Sequence, residues 1–268
     1  MSTTTDLTEI KLTLGGVARG EWIRFRTLRS HRWSLLVATL LIAGLGITSA
    51  AILVQSGQAD GFSDATDPTG MALDGVVITQ LVVGVLGALT VTGDYQTGLI
   101  RVGLATVPRR SWLFGAKAVV LAGSVLAGML VAVLVSFVVT QQVLSRGGEP
   151  SATLTDPGAV RALVGAAGYL AGVGLAGLSL GFLLRSTAGA VAAVVGGVYL
   201  MPELLRLVTP ADLFETAGRY LPSQAGQSMF RIGDDPTALS PVPAALVFGL
   251  WIGLLLLGAA TAFRRRDA

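Results

Sequence analysis

The chain has 268 residues, of which 52% are hydrophobic and 13% charged, with a formal net charge of +3. Soluble domains carry about 25% charged residues, and the apolar residues here gather in runs of about 20, the length that crosses a bilayer as helix. An ordinary soluble domain is excluded, and the absence of cysteine also excludes disulfides, thiolate metal sites and cysteine nucleophiles.

The expected fold is an all-α membrane protein of one domain, taken here from the amino end. Polar and mixed residues precede the first apolar run, unlike a secretory signal. Leu14, Ala18, Trp22, Phe25 and Leu28 then recur at helical spacing, with Arg19, Arg24, Arg26, Arg29 and Arg32 mostly on the other side. The pattern predicts an amphipathic helix over 14–31, lying at the membrane interface with Trp22, Phe25, Arg26 and Arg29 as its anchors. The alternative is a solvated arm that only fixes orientation. His31 is the single histidine and reads as an interfacial residue, because a zinc site built on it would lack partners.

Six spans follow, at 33–54, 73–92, 118–144, 162–184, 188–208 and 242–263. An acidic loop with Asp60, Asp64 and Asp67 joins the first two. The fourth is dense in small residues, and the pairs Gly168/Gly172 and Gly177/Gly181 predict close helix packing. Arg185, Ser186 and Thr187 make a tight turn into the fifth, which Pro202 should kink before Glu203 and Arg206. Those two stand one turn apart and are placed to form an interfacial ion pair. The longest loop, 209–241, precedes the last span.

Six spans put both ends of the chain on one side. Lys11, Arg19, Arg24, Arg26, Arg29, Arg32, Arg101, Arg109, Arg110, Lys117, Arg185 and Arg264 to Arg266 share that side, leaving only Arg146, Arg161, Arg206, Arg219 and Arg231 opposite. The excess of arginine on cytoplasmic segments predicts an N-in, C-in topology.

The interiors of these spans contain no Asp, Glu, Lys, Arg or His, whereas ion-coupled carriers usually bury such groups. No H-E-x-x-H, G-x-S-x-G or G-x-x-x-x-G-K-[ST] sequence occurs, so neither a zinc protease, a serine hydrolase nor a Walker ATPase is written in this chain. The most distinctive interruption is Thr92–Lys117. Arg101, Arg109, Arg110 and Lys117 make it basic, while Leu99, Ile100, Val102, Leu104 and Val107 make it too apolar for a plain linker. Asp94 in this stretch is expected to cap the next helix.

Three stretches carry a resemblance: Gly20–Ser30 before the first span, Gly93-Asp-Tyr-Gln-Thr-Gly-Leu-Ile-Arg101 closing with Val107-Pro-Arg-Arg110, and Tyr220-Leu-Pro-Ser-Gln-Ala-Gly226. Together they resemble permease subunits of type-2 ABC transporters, with Asp94 where the family often has Glu. The resemblance implies two six-span subunits, as homodimer or heterodimer, in a bacterial cytoplasmic membrane. Each would rest on a separate ATPase subunit that binds ATP and magnesium; no cofactor is expected in this chain, and no nucleic acid among its partners. It implies that Asp94, Tyr95, Thr97, Gly98, Leu99, Ile100 and Arg101 form the coupling helix that docks on the ATPase. It implies too that the loop with Tyr220, Pro222 and Gly226 forms short outer helices capping the pathway. The expected function is then export of hydrophobic or amphipathic cargo. A non-transporting scaffold or sensor is the alternative, and an ion-coupled carrier a third.

Overall fold

The computed structural model describes residues 13–56, 67–100, 110–233, 235 and 237–265. Among these, six helices are long and apolar enough to cross a membrane: Arg29–Gln55, Pro68–Gln96, Arg110–Arg146, Ala159–Leu184, Thr187–Val208 and Pro241–Arg265. The chain is a multi-pass membrane protein built of helices.

A shorter helix, α1 (Leu14–Thr27), comes first. Thr13 caps it by accepting the Gly16 amide at 3.2 Å, satisfying one of the orphan N–H groups of a helix start. Leu28 is extended (φ −68°, ψ 119°), which breaks the helix and turns the chain into α2 (Arg29–Ser56). Asp67 caps α3 (Pro68–Leu73) through the Thr69 amide at 2.9 Å, and Asp74 and Gly75 join it to α4 (Val76–Gln96). Then come α5 (Arg110–Arg146) and α6 (Ala159–Leu184).

The turn after α6 is as tight as its sequence implies. Arg185 adopts a left-handed conformation (φ 52°) and Ser186 caps α7 (Thr187–Val194) through the Gly189 amide. A π-turn over Val195–Leu200 leads into α8 (Met201–Val208). Pro202 has no N–H to give and its ring would strike the carbonyl one turn back. The wider π-turn just ahead of it, with the Met201 amide bonded to Gly196 O, lets the helix pass the proline and continue. Glu203 and Arg206 do not pair: both stand exposed on α8, and among the described residues no ion pair joins them. Next come α9 (Ala211–Ala217), a 3₁₀ turn (Gly218–Tyr220), α10 (Pro222–Ser228) and α11 (Pro241–Arg265).

The core forms around α6, 72% of whose apolar window is buried, against 11% for the fifth span. Glycine brings α4 and α6 into backbone contact. A Cβ on Gly87 would sit 2.0 Å from Gly174 O, and one on Gly177 would sit 2.0 Å from Gly84 O. No side chain fits such an approach, and that is how helices gain contact where lipid removes the usual hydrophobic drive. Gly181 meets α4 on the same side, whereas Gly172 receives the Phe248 ring of α11. Exposed apolar side chains such as Leu40, Leu207 and Leu246 cover the outside.

Candidate functional site

The helices run past the limits that hydropathy sets, and the extra turns carry charge. α4 continues to Gln96 and α5 begins at Arg110, so Asp94 and Lys117 both lie inside long helices and not in the connection between them. The bounds expected for the second and third spans are corrected here: their helices run on to Gln96 and start from Arg110, and so take in Asp94 and Lys117. At the end of α4 and the start of α5 hydropathy drops before the helix does, because Asp94 and Lys117 find partners within the protein.

Those partners come from α1. Arg24 Nη1 donates to Asp94 Oδ2 at 2.8 Å and its Nη2 pairs with Oδ1, a bidentate fork. Lys117 Nζ stands 2.7 Å from Asp94 Oδ2 and 2.8 Å from Glu21 Oε2. The side chains of Lys117 and Asp94 are 1% and 3% exposed. A charge so buried is tolerable only when paired, and here two acids meet two bases. One carboxylate therefore fastens three helices: α1, the end of α4 and the start of α5.

Among the described residues the partners of the Asp94 oxygens are Arg24 and Lys117, not a backbone amide of a following helix. The faces of α1 are also corrected. Val17, Glu21, Arg24, Phe25 and Leu28 fall at intervals of three and four, the spacing of one helix face, and that face turns inward. Phe25 is buried there, while Trp22 and Ile23, with Arg19, Arg26 and Arg29, are exposed. His31 is buried as well, packed within the protein. Its ring packs 4.4 Å from Phe25 and its Nε2 lies 3.2 Å from Thr90 Oγ1. Thr90 Oγ1 stands in turn 2.8 Å from Leu86 O. Clamp and histidine together border a pocket of about 130 Å³.

The connection departs directly from this clamp. Thr97 ends α4 with its hydroxyl on Gly93 O at 2.8 Å, Gly98 takes φ +71°, Leu99 is 46% exposed and Ile100 is buried. Beside it, the Arg185 guanidinium lies 5.2 Å over the Tyr95 ring, and Gln96 donates to Thr187 Oγ1 at 3.0 Å. Arg101, and with it Val107 and Arg109, lies outside the described residues. Arg110 reaches Phe263 O of α11 at 3.4 Å, so the last helix ends at the same end of the bundle as the clamp.

Tyr220, Pro222 and Gly226 sit at the opposite end. Pro222 is the first residue of α10, where a missing N–H costs nothing. Gly226 lies against the Tyr169 ring of α6, and Tyr169 in turn bonds Gln80 of α4. Trp251 Nε1 donates to Tyr220 O at 3.0 Å. Arg161 holds Met229 O and Arg231 O, both at 3.0 Å. Here Arg231 and Thr237 surround Asp235; the Thr237 bonds first, and Arg231 after them, hold its carboxyl below the usual range. Among the described residues no group of three or more His, Cys, Asp or Glu is placed to hold a metal.

Glu21 is the clamp side chain that sequence reasoning passed over. Its signal was the acid at one-turn spacing from Arg24 on a face otherwise apolar. Comparison with protein-family models and with curated proteins found no match.

Proposed function

We propose that this chain is the membrane-spanning permease subunit of an ATP-driven exporter of the type-2 ABC kind. It would act in the cytoplasmic membrane of a bacterium and pair with a second permease subunit and with a separate ATPase. The observation that carries the reading is the clamp at the root of the Thr97–Arg109 connection. A partner that pushes on Leu99 and the basic residues after it pushes on a helix end locked by ion pairs to α1 and α5. The push then displaces three helices together, as a lever must. Binding energy spent on that partner can shift the bundle between two states only through such differential contacts.

Sidedness supports the same reading. Arg19, Arg26, Arg29 and Arg32 are exposed at the clamp end, and arginine-rich ends face the cytoplasm, where ATP is. On α1, Trp22 and Ile23 point away from the protein beside these arginines, which suits a helix lying at the interface. The clamp is internally neutral and fully paired, so it serves better as a strut than as a proton or ion relay. Cargo is hydrophobic or amphipathic in this reading.

The chain lacks cysteine, so a cysteine placed by mutation is the only one present. Leu99→Cys, loaded with a photo-crosslinker in native membranes, should capture a protein with a Walker phosphate loop. Leu40→Cys, exposed on α2, should not. Capture of scaffold or signalling proteins at Leu99→Cys, without any such ATPase, would overturn the reading in favour of a membrane scaffold.

A further inference from the structure

A second pocket lies at the other side of α6, between that helix, the fifth span, α10 and α11. It measures about 210 Å³ and its walls include Tyr169, Ala176, Gly197, Met201, Ser223 and Leu255. A dry cavity of about 150 Å³ already accepts benzene. The lining extends along α6 from Tyr169 to Leu180, about 16 Å at the rise of a helix, so the space is long as well as apolar. The π-turn borders it: Gly197 lies in that turn, and a Cβ there would meet nothing within 4 Å. Turns of this kind recur at functional sites.

One feature breaks the apolar lining. Ser223, near the start of α10, is 2% exposed, and its Oγ has no hydrogen-bond partner. A hydroxyl so buried is costly to leave unsatisfied. Met201 and Trp251, also in the lining, are exposed on helices apolar enough to lie among lipid chains.

We propose that this pocket holds the acyl chain of a lipid, with Ser223 Oγ donating to the carbonyl oxygen of its ester. A long apolar slot matches the acyl chain, and a turn of Ser223 about its Cα–Cβ bond brings its closed-off, unpaired hydroxyl to the ester. A peptide or nucleotide would bring polar groups that these walls leave unpaired. The site needs only the membrane, and stands whether or not the chain couples to an ATPase.

The test is photolabelling of the purified full chain in nanodiscs with photoreactive palmitate methyl ester, sites being mapped by mass spectrometry. Labelling at Met201 and Leu255 should be suppressed by excess unlabelled ester, while labelling at lipid-facing Leu40 should not saturate. Gly197→Leu fills the slot and should abolish the suppressible labelling; Ala176→Leu, which leaves the π-turn untouched, should do the same. Ser223→Ala should weaken competition by the ester about tenfold, as loss of one buried hydrogen bond does, and leave competition by hexadecane unchanged. Unsaturable labelling everywhere, or saturable labelling that survives both filling variants, would overturn the pocket. Equal competition by ester and hexadecane in the wild type would overturn the anchor.

Discussion

At the clamp end, side chains of opposite charge bind helix to helix: Asp94 to Arg24 and Lys117, and Lys117 to Glu21. At the other end most ties run from side chains to the main chain, beside the Tyr169–Gln80 bond and the Arg231–Asp235 pair. Arg161 takes two carbonyls after α10 and Trp251 takes Tyr220 O. Gln141 bridges Pro68 O and the Ala152 amide, each at 2.8 Å. Carbonyls stay put whatever the side chains do, so this end makes a fixed frame. The clamp depends on charge, and one lost charge strands the others. A bundle with one rigid end and one latched end suits a molecule driven from the latched end.

The largest effect should come from emptying the centre of the clamp. Asp94→Ala leaves Lys117 buried with half its partners and Arg24 with none in the fork; removing one member of a buried pair costs about 3–5 kcal/mol. Thermal unfolding in detergent should show that loss, and amide exchange should rise first in α1. Asp94→Asn, which keeps the volume but removes the charge, should lose nearly as much, whereas stability close to wild type would mean that volume and not charge holds this end.

Next is a change in the rigid frame. A Cβ on Gly226 would lie 2.2 Å from the Tyr169 ring, and overpacking of this kind costs about 1–3 kcal/mol. Gly226→Ala should lower the unfolding temperature without loosening α1. Glu21→Gln comes third: Lys117 keeps Asp94, so about 1 kcal/mol is expected, the size of one hydrogen bond, again read by unfolding.

The smallest effect is a pH response in the loop between α5 and α6. There the Thr153 amide and hydroxyl both donate to Asp156 at 2.8 Å. The backbone bond, followed by the side-chain bond, holds its carboxyl below the ordinary range. A lowered folded pKa means these bonds hold above the unfolded carboxyl's pKa and fade as pH falls through the folded value. The Thr153 amide resonance should therefore stay constant from neutral pH down through the ordinary carboxylate range and shift only in stronger acid. A shift near neutrality would contradict the assignment.

Much of the frame was legible because apolar runs near bilayer length announce themselves. Gly177 and Gly181 could be marked as a packing pair from spacing alone. Their partners Gly84 and Ala88 could not, since nothing local tells which helix will face them. The same limit hid the clamp. Asp94, Lys117, Glu21 and Arg24 lie near helix ends where charge is ordinary, and only folding brings residues 70 apart together. Hydropathy ended the second span at Thr92 and began the third at Ala118, so both buried charges fell into the supposed loop. Arg24 was grouped with the other arginines, although one-turn spacing to Glu21 set it on the opposite face. The anchoring of Gly226 on Tyr169 was beyond reach for the same reason.

The most direct measurement is affinity recovery of the detergent-solubilised chain from its native membranes, wild type beside Leu99→Glu and Arg101→Glu, with ATP hydrolysis assayed on each eluate. The wild type should bring down an ATPase, and both variants should lose it while still inserting all six helices. Recovery of the intact wild type with no ATPase would contradict the coupling of this clamp to an external motor.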